Sequence, residues 1–160
     1  MIDPNLPPTL VLLPGMDGTG TLFEPLLQAL GQHWPVQVLH YPGDQPLGYP
    51  ALVERVMAQL PTNRRFILLG ESFSGPVAVS VAARNPEGLM GLVLCSSFVR
   101  NPRPRLAPLQ PLLKVLPVQR LPFWPMDALL LGGFSTPALR QALAAAIAQV
   151  APQVPVSYTH

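Results

Sequence analysis

The sequence predicts an α/β fold, a mostly parallel sheet with helices on both faces. Three observations carry this. Apolar runs alternate with helical patterns from Thr9 to Ser97. Those runs lack the polar alternation of half-solvated strands, so they read as strands covered on both faces. The 160 residues are 49% hydrophobic and 11% charged, which excludes intrinsic disorder and suffices for one domain with a real core.

The elements follow in order. "TLVLLPG" (Thr9–Gly15) is a continuous apolar run stopped by Pro-Gly, a buried strand entering a loop. "TLFEPLLQAL" sets Phe23, Leu26, Leu27 and Leu30 at helical spacing, with Thr21 expected as the N-cap. Val36–Asp44 is a second strand and turn, and Tyr49–Pro61 an amphipathic helix. Arg65–Gly70 is a third strand. Gly75–Pro86 is a helix with a small-residue face, ended by Asn-Pro, and Gly91–Ser97 is a fourth strand.

After Phe98 the character changes. From Pro102 to Pro125 repeated prolines permit only short helices, although Leu109, Leu112, Leu113 and Leu116 keep a short apolar stripe. "STPALRQALAAAIAQV" predicts a helix with Thr136 as N-cap and Pro137 at its first position. The expected organisation is a core over 1–98, a helical cap over 99–150, and the start of a further strand or a tail over 151–160. No internal repeat is visible.

Composition narrows the function. A net charge of +2, with Arg64-Arg65 and the Arg100, Arg103, Arg105 group as its densest cationic stretches, is too sparse for a nucleic-acid footprint. The single cysteine, Cys95, lies in an apolar run and is expected to be a buried small hydrophobe. The N-terminal stretch lacks the pattern of a signal peptide, and no apolar run reaches bilayer length. The expectation is a cytoplasmic protein without stable membrane insertion. No metal-ligand cluster and no dinucleotide fingerprint occur, so no cofactor is expected.

The chemistry concentrates at "GESFSGP" (Gly70–Pro76), between the third strand and a small-residue helix. A nucleophilic serine must be exposed yet rigid. A sharp strand-to-helix turn gives both, provided its neighbours are small, and the helix aims its N-terminal amides at the site. Gly70 stands two before Ser72. Ser74 occupies the place two after it, where glycine is usual, and Gly75 follows. The bland alternative is an ordinary turn with Ser72 as an N-cap. Ser74, a competing nucleophile with flanks less suited to the corner, reads as a packing or capping residue.

Acyl transfer also needs donors for an oxyanion. One is expected from the backbone N–H of Phe73. The other is expected from "LLPGMDGTG" (Leu12–Gly20), with the N–H of Met16 as the candidate and Gly15 letting the loop turn inward. A phosphate cradle is the competing reading of that loop, but no P-loop lysine follows it. Asp17 either holds the loop or caps a simple turn.

Together, "LLPGMDGTG", "YPGD" and "GESFSGP" resemble the α/β-hydrolase superfamily, and within it the bacterial esterase and acyltransferase group related to plant phytyl ester synthases. The resemblance covers Thr9 to about Phe98 well and the stretch to about Val150 loosely. It implies that Ser72 is the nucleophile and that 99–150 begins a lid over an acyl pocket. It also implies an acid and a histidine on loops after later strands, in that chain order. After Ser72 the carboxylates are Glu87 and Asp127 and the histidine is His160.

Two expectations follow. The C-terminal strands, with acid and histidine, are missing from this chain; or Asp127 and His160 complete a minimal triad. His33, His40 or another chain are further sources of a base, and an open sheet edge or apolar cap would favour a homo-oligomer. The function expected is a serine hydrolase of carboxylic esters, with acyl transfer or a thioesterase or perhydrolase reaction at the same site, and a small acyl ester as substrate. The alternative is a catalytically incomplete fragment that binds an apolar ligand or partner chain.

Overall fold

The computed structural model describes residues 2–3, 5–45, 47–99 and 136–148. Four parallel strands form its sheet: β1 (Thr9–Leu13), β2 (Val36–Val38), β3 (Phe66–Glu71) and β4 (Leu89–Cys95), in the order β2-β1-β3-β4. Helices α1 (Glu24–Leu30), α2 (Tyr49–Met57) and α3 (Gly75–Ala83) make the crossovers, and α4 (Pro137–Ala148) lies beyond them. The α/β class and the parallel sheet stand as the sequence predicts.

Strand order decides where a site can form. The chain leaves β1 toward β2, then crosses back to place β3 on the other side of β1. The strand order thus reverses between β1 and β3, the kind of switch point beside which open α/β sheets bind ligands. The register puts Leu13 opposite Gly70, so the loop starting at Pro14 and the turn starting at Ser72 leave the sheet side by side.

One face of the sheet carries the core. Val11 and Leu13 of β1 and Phe66 and Leu68 of β3 meet Leu52, Val53 and Val56 of α2 and Val77, Ala78 and Val81 of α3. These are the alternate positions of each strand and the inward stripe of each helix, as their periods require. Arg84, at the end of α3, and Glu54 of α2 add an exposed ion pair at 2.6 Å. Such a pair contributes little in water.

Several local expectations are corrected. Thr21 does not cap a helix. A 3-10 turn runs over Thr21–Phe23, entered through Gly20 in the left-handed conformation at φ 71°, and α1 starts only at Glu24 with Pro25 in its first turn. Gly20 supplies the backbone reversal, so no side-chain cap forms. Cys95 is exposed rather than buried, together with Leu92, Val93 and Leu94. Among the described residues β4 is the edge of the sheet, and the two-sided cover expected for every strand stops short of it.

Other boundaries moved less. β2 is shorter than its apolar run. Backbone bonding nonetheless continues beyond Val38: the Leu39 N–H donates to the Leu12 carbonyl of β1 and the Tyr41 N–H to the Gly18 carbonyl in the loop after β1, both at 2.9 Å. α3 ends where Asn-Pro predicts, with Asn85 left-handed at φ 48°. The helix after Thr136 begins at Pro137, and the Thr136 carbonyl accepts the Arg140 N–H at 2.9 Å. The proline-rich stretch and Val154–Tyr158 lie outside the described residues. Among the described residues no helix is long and apolar enough to cross a membrane.

Candidate active site

Ser72 stands at the tip of the turn between β3 and α3, half-buried, at φ 49°. That left-handed conformation costs a non-glycine residue roughly 1–2 kcal/mol and persists only where the surroundings impose it. The surroundings are tight. A Cβ on Gly70 would lie 2.7 Å from the Ala78 Cβ and 2.9 Å from the Ser74 carbonyl oxygen. A Cβ on Gly75 would collide with the Ser97 hydroxyl and come within 2.6 Å of the Phe98 carbonyl oxygen. Both neighbours of the corner must therefore lack side chains.

Ser74 is fully buried and does not share the solvent-facing place of Ser72. Its Oγ donates to the Pro14 carbonyl and lies 2.9 Å from the Tyr41 hydroxyl. A hydroxyl has one proton to give. With the Ser74 proton on Pro14, Tyr41 is the donor to Ser74, and a directed chain runs from the β2 loop through the elbow to the β1 loop. A hydroxyl thus stands where glycine is usual because the corner needs no close approach there; the close approach falls one residue later, at Gly75.

Two further contacts fix the elbow. The Ser97 hydroxyl, from the loop after β4, donates to the Ser72 carbonyl. Phe73 points its buried ring into the core, edge-on to Tyr41 at 5.9 Å and stacked on Tyr49 at 5.4 Å. Burial pushes the Tyr49 phenol above its ordinary range. The backbone amide of Phe73, next after Ser72, is thereby held by two aromatic contacts from separate elements.

The β1 loop has its own scaffold. Asp17 Oδ2 accepts the Thr19 N–H at 3.0 Å and also the Thr19 hydroxyl, a local turn closed by a side chain. Met16 is exposed at the loop's start, and Gly15 beside it is buried. His40 braces the far end: its Nδ1 lies 2.7 Å from the Thr19 carbonyl, which can only accept, so Nδ1 carries the proton. Glu71, the residue before Ser72, turns its carboxyl toward Gly15 and Asp17. Burial first, and then the Asp17 carboxylate, raise its pKa above the usual carboxylate range, against the pull of the Gly15 amide.

The structure thus brings together Gly15, Met16, Asp17, Gly70, Ser72, Phe73 and Ser74. Asp127 and His160 lie outside the described residues. Sequence reasoning missed Glu71, Tyr41, Tyr49 and Ser97. Two signals were available: a carboxylate inside an apolar strand end, and two tyrosines at strand and helix ends.

A parallel sheet with its switch point at β1/β3 and a serine at positive φ on the β3–α3 corner give the chain a fold of the α/β-hydrolase type. No protein-family model matches it. Among curated proteins it is 40% identical over 119 residues to phytyl ester synthase 1, chloroplastic, of Arabidopsis thaliana, covering 69% of this chain and 16% of that protein. It is 34% identical over 95 residues to the pimeloyl-[acyl-carrier protein] methyl ester esterase of Neisseria meningitidis serogroup C, covering 56% and 36% respectively. It is 31% identical over 99 residues to the biotin biosynthesis bifunctional protein BioHC of Cellvibrio japonicus, covering 58% and 19%. The chain therefore spans well under half the length of each.

Proposed function

We propose that this chain carries the nucleophile and oxyanion loop of a serine enzyme acting on carboxylic esters. The observation that carries the reading is Ser72 at φ 49° on the β3–α3 corner, beside the loop after β1. Ester chemistry in the names of two relatives, a synthase and an esterase, supports it.

In this reading Ser72 Oγ attacks the acyl carbonyl and its proton passes to a histidine. The tetrahedral oxygen is held by the amides of Met16 and Phe73. The alcohol leaves with the proton from the histidine, and water or a second alcohol then releases the acyl group from Ser72. The base and acid are proposed as His160 and Asp127. The contact between α4 and the Thr21–Phe23 turn supports reading 99–150 as a lid, since it brings part of that stretch beside the oxyanion loop. The substrate is then a small acyl ester with an apolar acyl group.

Hydrolysis of a short-chain 4-nitrophenyl ester by the chain, with Ser72→Ala and His160→Ala beside it, tests this. Turnover abolished by Ser72→Ala is the expected result. Loss with His160→Ala as well assigns the base. Turnover equal in wild type and Ser72→Ala would reject Ser72 as the nucleophile.

A further inference from the structure

Asp17 presents an anomaly. Its Oδ2 is satisfied by Thr19, but its Oδ1 is buried and has no hydrogen-bond partner. An orphaned buried carboxylate oxygen is costly and calls for a donor. Glu71 is the candidate donor. A Cβ on Gly15 would sit 3.3 Å from Asp17 Oδ1 and 3.8 Å from Glu71 Oε2, so both carboxyls border the space that a side chain there would take.

We propose that Glu71 and Asp17 share a proton, Glu71 donating it to Asp17 Oδ1, and that this carboxyl pair clamps the β1 loop onto the serine elbow. Two ionised carboxylates around so small a space would repel; one proton turns that repulsion into a charge-assisted hydrogen bond. The direction of the Glu71 titration, raised by burial and by Asp17, fits the donor role. Glu71 immediately precedes Ser72, and Asp17 immediately follows Met16. The pair therefore joins the two segments proposed to supply the nucleophile and an oxyanion donor. In this respect its catalytic meaning rests on the reading above, whereas the pair itself does not.

The surroundings leave the proton no better home. α3 carries no titratable side chain. From β4 the register partner of Glu71 is Cys95. Tyr41 gives its proton to Ser74, and His40 is engaged with Thr19. Glu71 is a positioning residue in this scheme: it would set when the loop is locked without touching substrate.

The test is a carbon-13 carboxyl NMR titration of the chain, which needs no turnover. Glu71 should keep its proton to higher pH than Glu24, Glu54 and Glu87, and its midpoint should move down in Asp17→Asn. In parallel, the rate of Ser72 labelling by a phosphonate should fall as Glu71 ionises in wild type. That fall should disappear in Glu71→Gln, which donates at every pH. Glu71 titrating with the other glutamates, a midpoint unmoved by Asp17→Asn, or an alkaline fall that persists in Glu71→Gln would each overturn the proposal. Failure of Ser72 to label at all would count against the ester chemistry, while the NMR titration still decides the pair.

Discussion

The buried hydroxyl of Ser74 donates to the carbonyl of Pro14, sixty positions earlier in the chain. This one bond ties the serine elbow to the loop after β1, and Tyr41 completes it from the loop after β2. Ser74→Ala should therefore destabilise the fold by about 1–3 kcal/mol, since it takes a partner from two buried groups. The same substitution in a Tyr41→Phe background should cost less, because one of those groups is already gone. Urea unfolding of the four proteins of the cycle measures the coupling. Strict additivity would show that the three groups do not act as a chain.

Ser72 trades stability for position. Glycine adopts φ 49° freely, so Ser72→Gly should be more stable than Ser72→Ala by about 1 kcal/mol, while both lack the hydroxyl. Thermal unfolding of the pair checks this. Equal stability would mean that the elbow is not strained.

The two glycines of the corner should be intolerant for steric reasons. Gly75→Ala drives a methyl into Ser97 and the Phe98 carbonyl, and Gly70→Ala drives one into Ala78 and the Ser74 carbonyl. Each should cost about 1–3 kcal/mol or more. Ser97→Gly should recover part of the loss in Gly75→Ala, the backbone contact with Phe98 remaining. No recovery would place the conflict elsewhere.

Glu71 gives stability a defined pH dependence. Its pKa in the folded chain lies above that of the unfolded chain. Between those two values the folded state holds a proton that the unfolded state has lost, so stability falls as pH rises. The contribution is complete below the ordinary carboxylate range and is lost as pH climbs through the raised value. Glu71→Gln removes this descent. Its stability relative to wild type should therefore increase from acid toward neutral pH, as read by urea midpoints across that range. A constant difference would contradict the shift.

What was legible in the sequence was what local pattern encodes. The four apolar runs give four strands, because a buried parallel strand has no polar face to break the run. Gly70, Ser72 and Gly75 were readable as a corner because tight turns restrict residue size locally. What was not legible depends on contacts between distant residues. Tyr41 reaches Ser74 across thirty-three positions and Ser97 reaches Ser72 across twenty-five. Neither is marked by its own neighbours. Cys95 misled for the same reason: an apolar run signals a strand, but whether that strand is central or at an edge is decided by the order of the sheet. Thr21 had the chemistry of a cap, yet Gly20 before it made the turn with backbone alone.

The central claim is that the corner presents Ser72 as an activated nucleophile. Intact-mass analysis after exposure to a fluorophosphonate, followed by peptide mapping, tests it most directly. The account predicts one adduct, on Ser72, absent from Ser72→Ala and present in a Ser97→Ala control. An adduct that persists in Ser72→Ala, or that maps to Ser74, would contradict it, as would a folded chain that takes up no label.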